Sequence, residues 1–243
     1  MASVTDVPTR SAKTRKQPTT QDTRASWRTL LAVVVPLPWL AKGVQYMIDA
    51  PHFERGADLI AYDQTHHAYQ YLQWLDALFV VLVVPSVITM AFVARRGAPR
   101  LATAAAILMG GGFLLVLPLN NGGVGDWLGW AAARKGLDPA TTGVLLDSLV
   151  DPRQSIGSAG FAVAILFGSI VTGLALWKSR AVPAWAALCV ALGGATHMFL
   201  QFNHVVHGAG LVVLAAGCVR ISLTLVRMTD DDFDLRPFTE RTS

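Results

Sequence analysis

Residues 75–96 read LDALFVVLVVPSVITMAFVARR: one acid, Asp76, near the start, then an apolar run broken only by Pro85, Ser86 and Thr89, then Arg95 and Arg96. Crossing the hydrocarbon of a bilayer takes about 20 predominantly apolar residues. An amphipathic helix of a soluble protein carries a charged face along its length, and this run has none below Asp76. The stretch therefore reads as a transmembrane helix, and the rest of the chain follows the same pattern.

Equivalent runs occur at about 29–49, 101–119, 157–177, 182–200 and 205–226. Hydrophobic residues make up 53% of the 243-residue chain, mean hydropathy is +0.44, and charges gather in short clusters between the runs. This composition fits the bilayer class and excludes a soluble globule. The expected fold is all-α: an integral membrane bundle of six transmembrane helices over 29–227, preceded by a basic disordered tail (1–28) and followed by an acidic tail (228–243) with no fold of its own.

Basic residues set the expected orientation, because short cytoplasmic segments retain Lys and Arg. Arg10, Lys13, Arg15, Lys16, Arg24 and Arg28 precede the first run; Arg95, Arg96 and Arg100, then Lys178 and Arg180, then Arg220 and Arg227 mark the same side. Both termini are expected in the cytoplasm, with the protein a multi-pass component of the cell (plasma) membrane. The outer loops carry fewer basic residues: Arg55, Arg134, Lys135 and Arg153. The polar first residues lack the apolar core of a cleavable signal, so the first helix is expected to be an uncleaved anchor. The basic residues track topology and form no basic aromatic groove of the kind that binds nucleic acid.

The outer loops, about 50–65 and 120–156, differ in length. In the second, Asp126 is expected to cap a short helix ending before Gly136, and Asp138 with Pro139 to open another. Trp127 and Trp130, one turn apart, suit a segment lying in the headgroup region or closing over a cavity. Cys189 and Cys218 fall inside spans and read as small packing residues rather than a disulfide or thiol metal site. Gly110, Gly111 and Gly112 are expected to allow close helix packing or a kink.

All six histidines, His52, His66, His67, His197, His204 and His207, fall at the expected outer side. Ionisable groups within a span are costly unless they face partners or water, and here they are ordered. Lys42, Gln45, Tyr46 and Asp49 share one face of the first helix; His66, Tyr69, Gln70, Gln73 and Asp76 are expected to share one face of the second. Asn120, Asn121, Thr196, His197, Gln201, Asn203, His204 and His207 lie at the same level. The inner half carries no comparable series, which argues against a proton path or channel and for a polar cup open to the outside. Within it, Lys42 and Asp76 lie at depths that permit a charge pair, with Asp76 a candidate acid or base and Lys42 tuning it. Gln45, Asp49, His66, Gln70, Gln73, Asn120, Gln201 and Asn203 are the expected lining. His197, His204 and His207 are candidate ligands for a metal ion or haem iron.

The six-helix plan, with its turn Ala94-Arg95-Arg96-Gly97-Ala98-Pro99-Arg100-Leu101, resembles small uncharacterised multi-pass proteins of high-GC Gram-positive bacteria, a resemblance that implies the fold and no activity. No phosphate-binding Gly-rich loop, Gly-x-Ser-x-Gly elbow or His-Glu-x-x-His helix is present. Three functions remain in view: an enzyme or metal- or haem-binding protein acting on a small or lipid-like molecule; a non-catalytic binding or permease component for a small amphipathic ligand; and an accessory subunit whose membrane partner protein supplies the chemistry.

Overall fold

Helices form where the apolar runs are, and their ends fall where Gly, Pro or charged residues interrupt them. The computed structural model describes residues 23–48, 55–66, 71–119, 124–148, 153–199 and 203–234, with the side chains at 116–119, 124–126, 153–155, 197, 198 and 204 outside that description. Within these residues the chain is helical and contains no strand. The long helices are α1 (Arg24–Ile48), α3 (Leu72–Ala94), α4 (99–119), α7 (153–179), α8 (Ala184–Phe199) and α9 (His204–Arg227). Between them stand the short helices α2 (Gly56–Thr65), α5 (Val124–Arg134) and α6 (Pro139–Ser148), and α10 (Asp230–Phe233) ends the described chain.

Among the described residues, four helices are long and apolar enough to cross a membrane: Arg24–Ile48, Leu72–Ala94, Ile156–Ser179 and Val205–Arg227. Two shorter apolar helices, Pro99–Leu115 and Ala184–Thr196, pack among them. The outward side chains at mid-helix, including Val81, Ile88, Ile107, Phe167, Leu192 and Val219, are apolar and exposed. An apolar belt of this extent on the outside of a bundle is the mark of a surface that meets lipid.

The long helices form a closed ring in which α1 touches α3 and α9, α9 touches α8, α8 touches α7, and α7 with α4 returns to α3. One core runs through it, from Val35 and Trp39 through Met90, Met109 and Ile165 to Leu214 and Ile221. Both α4 and α7 widen into π-turns, at Ala106–Gly110 and Ala164–Gly168, and the two turns face each other. Of the three glycines expected to allow close packing there, Gly112 does so: a Cβ on it would sit 2.1 Å from that of Ala164, whereas one on Gly111 would meet nothing.

Every basic turn of the long helices collects at one end. There Gly97 lies so close to Ser179 that an added Cβ would stand 2.5 Å from the Ser179 Cα, which locks the turn after α3 onto the turn after α7. The acidic segment is docked at this end rather than featureless. Thr229 caps α10, Arg28 donates to Asp230 at 2.7 Å, Arg24 pairs with Asp234 at 2.8 Å, and Arg96 pairs with Asp232. Phe233 packs edge-on against Phe92 at 5.4 Å. The described chain thus begins and ends at the same end of the bundle.

The opposite end is capped by α2, α5 and α6, which share a small core of Ile60, Ala132, Ala133 and Leu146. Asp147 accepts from the Gly56 N–H at 2.9 Å and so caps α2 from another helix. Asp138 and Pro139 open α6 as expected. Gly136, at φ 63°, closes α5 in the left-handed conformation. Asp126 is not the cap of α5: it lies within that helix, which is described from Val124. A further difference is that the first loop is itself largely helical, as α2, so that the cap draws on both loops.

Candidate functional site

The polar centre sits between α1, α3 and α9 towards the capped end, and small residues make it possible. At the crossing of α1 and α9, a Cβ on Gly208 would stand 2.4 Å from the Gly43 carbonyl oxygen. The two backbones therefore touch, as small residues permit between helices in lipid. That contact brings Tyr46 of α1 over His207 of α9, rings stacked with centroids 4.4 Å apart and planes at 25°.

Lys42 of α1 reaches Asp76 of α3 and forms an ion pair with its Oδ1. Lys42 also donates to the Gln45 Oε1 at 3.1 Å. The side chains of the pair are 16% and 10% exposed; Gln45, Gln73 and His207 beside them are buried. The ammonium lies 4.8 Å from the centre of the Tyr46 ring and 5.7 Å from that of Phe79, so two aromatic faces add to the carboxylate in compensating its lost hydration. Asp76 Oδ2 makes no further hydrogen bond among the described residues, which leaves it as an acceptor for a proton or a donor group of a bound molecule.

Beneath the pair the site is dry and aromatic. Phe79, Trp39 and Phe113 meet edge to face at 5.8–5.9 Å, and Phe161 extends the cluster at 5.7 Å. The Trp39 indole N–H is satisfied by Ser86 Oγ at 2.9 Å, and Ser86 donates on to the Val35 carbonyl at 2.7 Å. The polar series therefore ends on a floor with its hydrogen bonds closed. In a medium of low dielectric, a charge pair above such a floor interacts strongly and is costly to split.

The expected outer lining divides. Lys42, Gln45, Gln73, Asp76 and His207 come together. Asp49, Gln70, Asn120, Asn121 and Gln201, like His52, His67 and Tyr69, lie outside the described residues, and so do the side chains of His197 and His204. His66 is not on the helix that carries Gln73 and Asp76, and Tyr69 and Gln70 of that expected face lie outside the described residues. Helix α3 starts at Leu72, whereas His66 ends α2, exposed, its ring stacked 3.9 Å from that of Tyr62. Its Nδ1 lies 3.1 Å from the Tyr62 carbonyl oxygen. Asn203 is also exposed and caps α9, accepting from the Val206 N–H at 3.2 Å. Among the described residues, no group of three or more His, Cys, Asp or Glu is arranged to hold a metal ion.

Sequence reasoning passed over Trp39 and Phe79. The signal was helical spacing: Trp39 lies three residues before Lys42, and Phe79 three after Asp76, one turn deeper on the same faces. Above the pair, Trp74, Trp127 and Trp130 form a chain of edge-to-face contacts at 5.9 and 5.5 Å that ties α3 to the cap. The Trp130 Nε1 is buried without a hydrogen-bond partner among the described residues.

Set against family models, curated proteins and solved structures, the chain matches none. The reading of the site rests on its own chemistry.

Proposed function

We propose that this chain is a multi-pass protein of the plasma membrane, crossing it six times with both termini cytoplasmic, on the plan of the small six-helix proteins it resembles. We further propose that the Lys42–Asp76 centre is the outward-facing acid–base site of a membrane-embedded enzyme acting on a small amphipathic or lipid-like molecule. The observation that carries this reading is a nearly dry Lys–Asp pair with one carboxylate oxygen uncommitted, set on an aromatic floor. Asp76 Oδ2 takes a proton from the bound molecule, and Lys42 stabilises the negative charge that develops. The aromatic rings supply the apolar walls usual for small-ligand sites. The collection of basic turns at one end supports the orientation, since positive residues stay inside.

A second reading has its own observation in favour: the pair joins α1 to α3 and requires no chemistry to be useful. The protein would then bind an amphipathic ligand without turnover, as a binding or permease component, or serve as accessory subunit of a membrane complex. Full-length protein and Asp76→Asn, reconstituted in nanodiscs and incubated with bacterial lipid extract, separate these. Mass spectrometry should show a species consumed by the wild type and left intact by a folded Asp76→Asn. A species that co-purifies unchanged with both would make the site a binding site, and an empty site with a stoichiometric protein partner would make it an accessory subunit.

A further inference from the structure

A cleft of about 360 Å³ opens at the basic end of the bundle and shares no lining residue with the Lys42–Asp76 centre. Its walls come from the two turns locked together by Gly97 and Ser179 and from the end of α9, and they present Arg96, Arg220 and Arg227. Arg220 and Arg227 stand two turns apart on α9. Neither makes an ion pair among the described residues, although both lie at the foot of an apolar span. Arg96 is engaged by an anion the protein itself supplies: the Asp232 carboxylate, together with the main-chain oxygen of Asp231. Asp232 lines the same cleft.

We propose that this cleft is a binding site for a phosphate group and that Asp232 is its built-in competitor. Three arginines line a volume suited to a small ligand, and guanidinium is the side chain that best matches the fork of phosphate oxygens. One internal carboxylate balances one of the three, so the site retains an excess of positive charge. Val93 and Ala181 give the cleft an apolar wall where it meets the span. On the other side of the Ser179 turn, Leu101, Leu174 and Trp177 line a second cleft rimmed by Lys178 and Arg180. A phosphate entering here has two possible sources, the headgroup of an anionic phospholipid, as basic pockets beside spans accept, or free phosphate.

The test uses the full chain in detergent, with native mass spectrometry of phosphatidylglycerol against phosphatidylcholine, and thermal stability in zwitterionic nanodiscs with inorganic phosphate. Phosphatidylglycerol should be retained over phosphatidylcholine. The Arg220→Gln/Arg227→Gln variant should weaken its binding about tenfold or more, as loss of charged hydrogen bonds does, and Asp232→Asn should tighten it. The Asn amide keeps the bond to Thr229 but removes the competing charge, so this variant keeps the test decisive if the double arginine variant fails to fold. If inorganic phosphate alone shows the same dependence on both variants, the site stands with a soluble source. If Asp232→Asn leaves both ligands unchanged, or a folded Arg220→Gln/Arg227→Gln binds as the wild type does, the proposal is overturned.

Discussion

The two ends of this bundle use the same chemical pair, a basic side chain against an aspartate, in opposite surroundings. At the basic end, Arg24, Arg28 and Arg96 meet Asp230, Asp232 and Asp234 with carboxylates 41–46% exposed. Towards the capped end, Lys42 meets Asp76 with the carboxylate side chain only 10% exposed, over aromatic rings. Water screens the first set and is nearly excluded from the second. The difference teaches that an ion pair's worth is set by what would replace the partner: at the exposed end water would, and in the dry centre nothing would.

The largest expected effect follows directly. Removing one member of the central pair, as in Lys42→Met or Asp76→Leu, leaves the other charge in a low-dielectric site and should cost about 3–5 kcal/mol. Replacing both together should recover most of that loss, because an apolar pair of similar volume leaves no orphan charge. Thermal unfolding of the four proteins of this cycle, in one detergent, measures it. A double variant that loses the sum of the two single losses would mean that the groups act independently, and the comparison between the two ends would collapse.

How much of this was legible beforehand follows the same division. Apolar runs and charge clusters are local signals, so the helices, the basic turns and the Lys42–Asp76 depth match could be read from them. The end of α2 at Thr65 could not, because His66 there leaves helical geometry and stacks back on Tyr62 of its own turn, and no periodicity announces that. The clasp of the acidic segment was hidden for a different reason. A run of aspartates has nothing to bury and reads as solvated; only the ring closure that sets Arg24 of α1 and Arg96 after α3 beside the end of α9 gives it partners. The Tyr46–His207 stack likewise depends on the Gly43–Gly208 crossing, a long-range contact of two residues that carry no side chain to signal it.

At the exposed end the expected effect is smaller and of another kind. Arg24→Gln removes the pairings with Asp234 and Asp230, in which both side chains are 41–49% exposed. Exposed pairs are worth about 0.2–1 kcal/mol, and salt screens them over a Debye length of about 10 Å at 0.1 M. The variant should therefore lose little stability at low salt and less at high salt, while the loss in Lys42→Met should hardly respond to salt. Unfolding midpoints at low and high ionic strength test this; equal salt sensitivity at both ends would show that the central pair is as wet as the clasp.

The smallest effect belongs to the cap, where a carboxylate makes hydrogen bonds and no ion pair among the described residues. Asp138 accepts from the Thr141 hydroxyl at 2.6 Å and from its N–H at 2.8 Å, and these bonds, the hydroxyl first, hold its pKa below the ordinary 3.8. A carboxyl whose folded pKa is depressed stabilises the protein above its unfolded value, and that contribution disappears as pH falls through the folded one. Asp138→Asn preserves a side chain able to cap α6 but cannot titrate. The difference in midpoint between the wild type and this variant should thus be constant above about pH 5 and shrink below about pH 4, near the unfolded aspartate value. Because the residue is fully exposed, the change should stay well under that of the central pair. A difference that persists unchanged into acid would place the worth of Asp138 in its shape rather than its charge, and the start of α6 would then differ from the Lys42–Asp76 centre and the arginine–aspartate clasp in drawing nothing from charge.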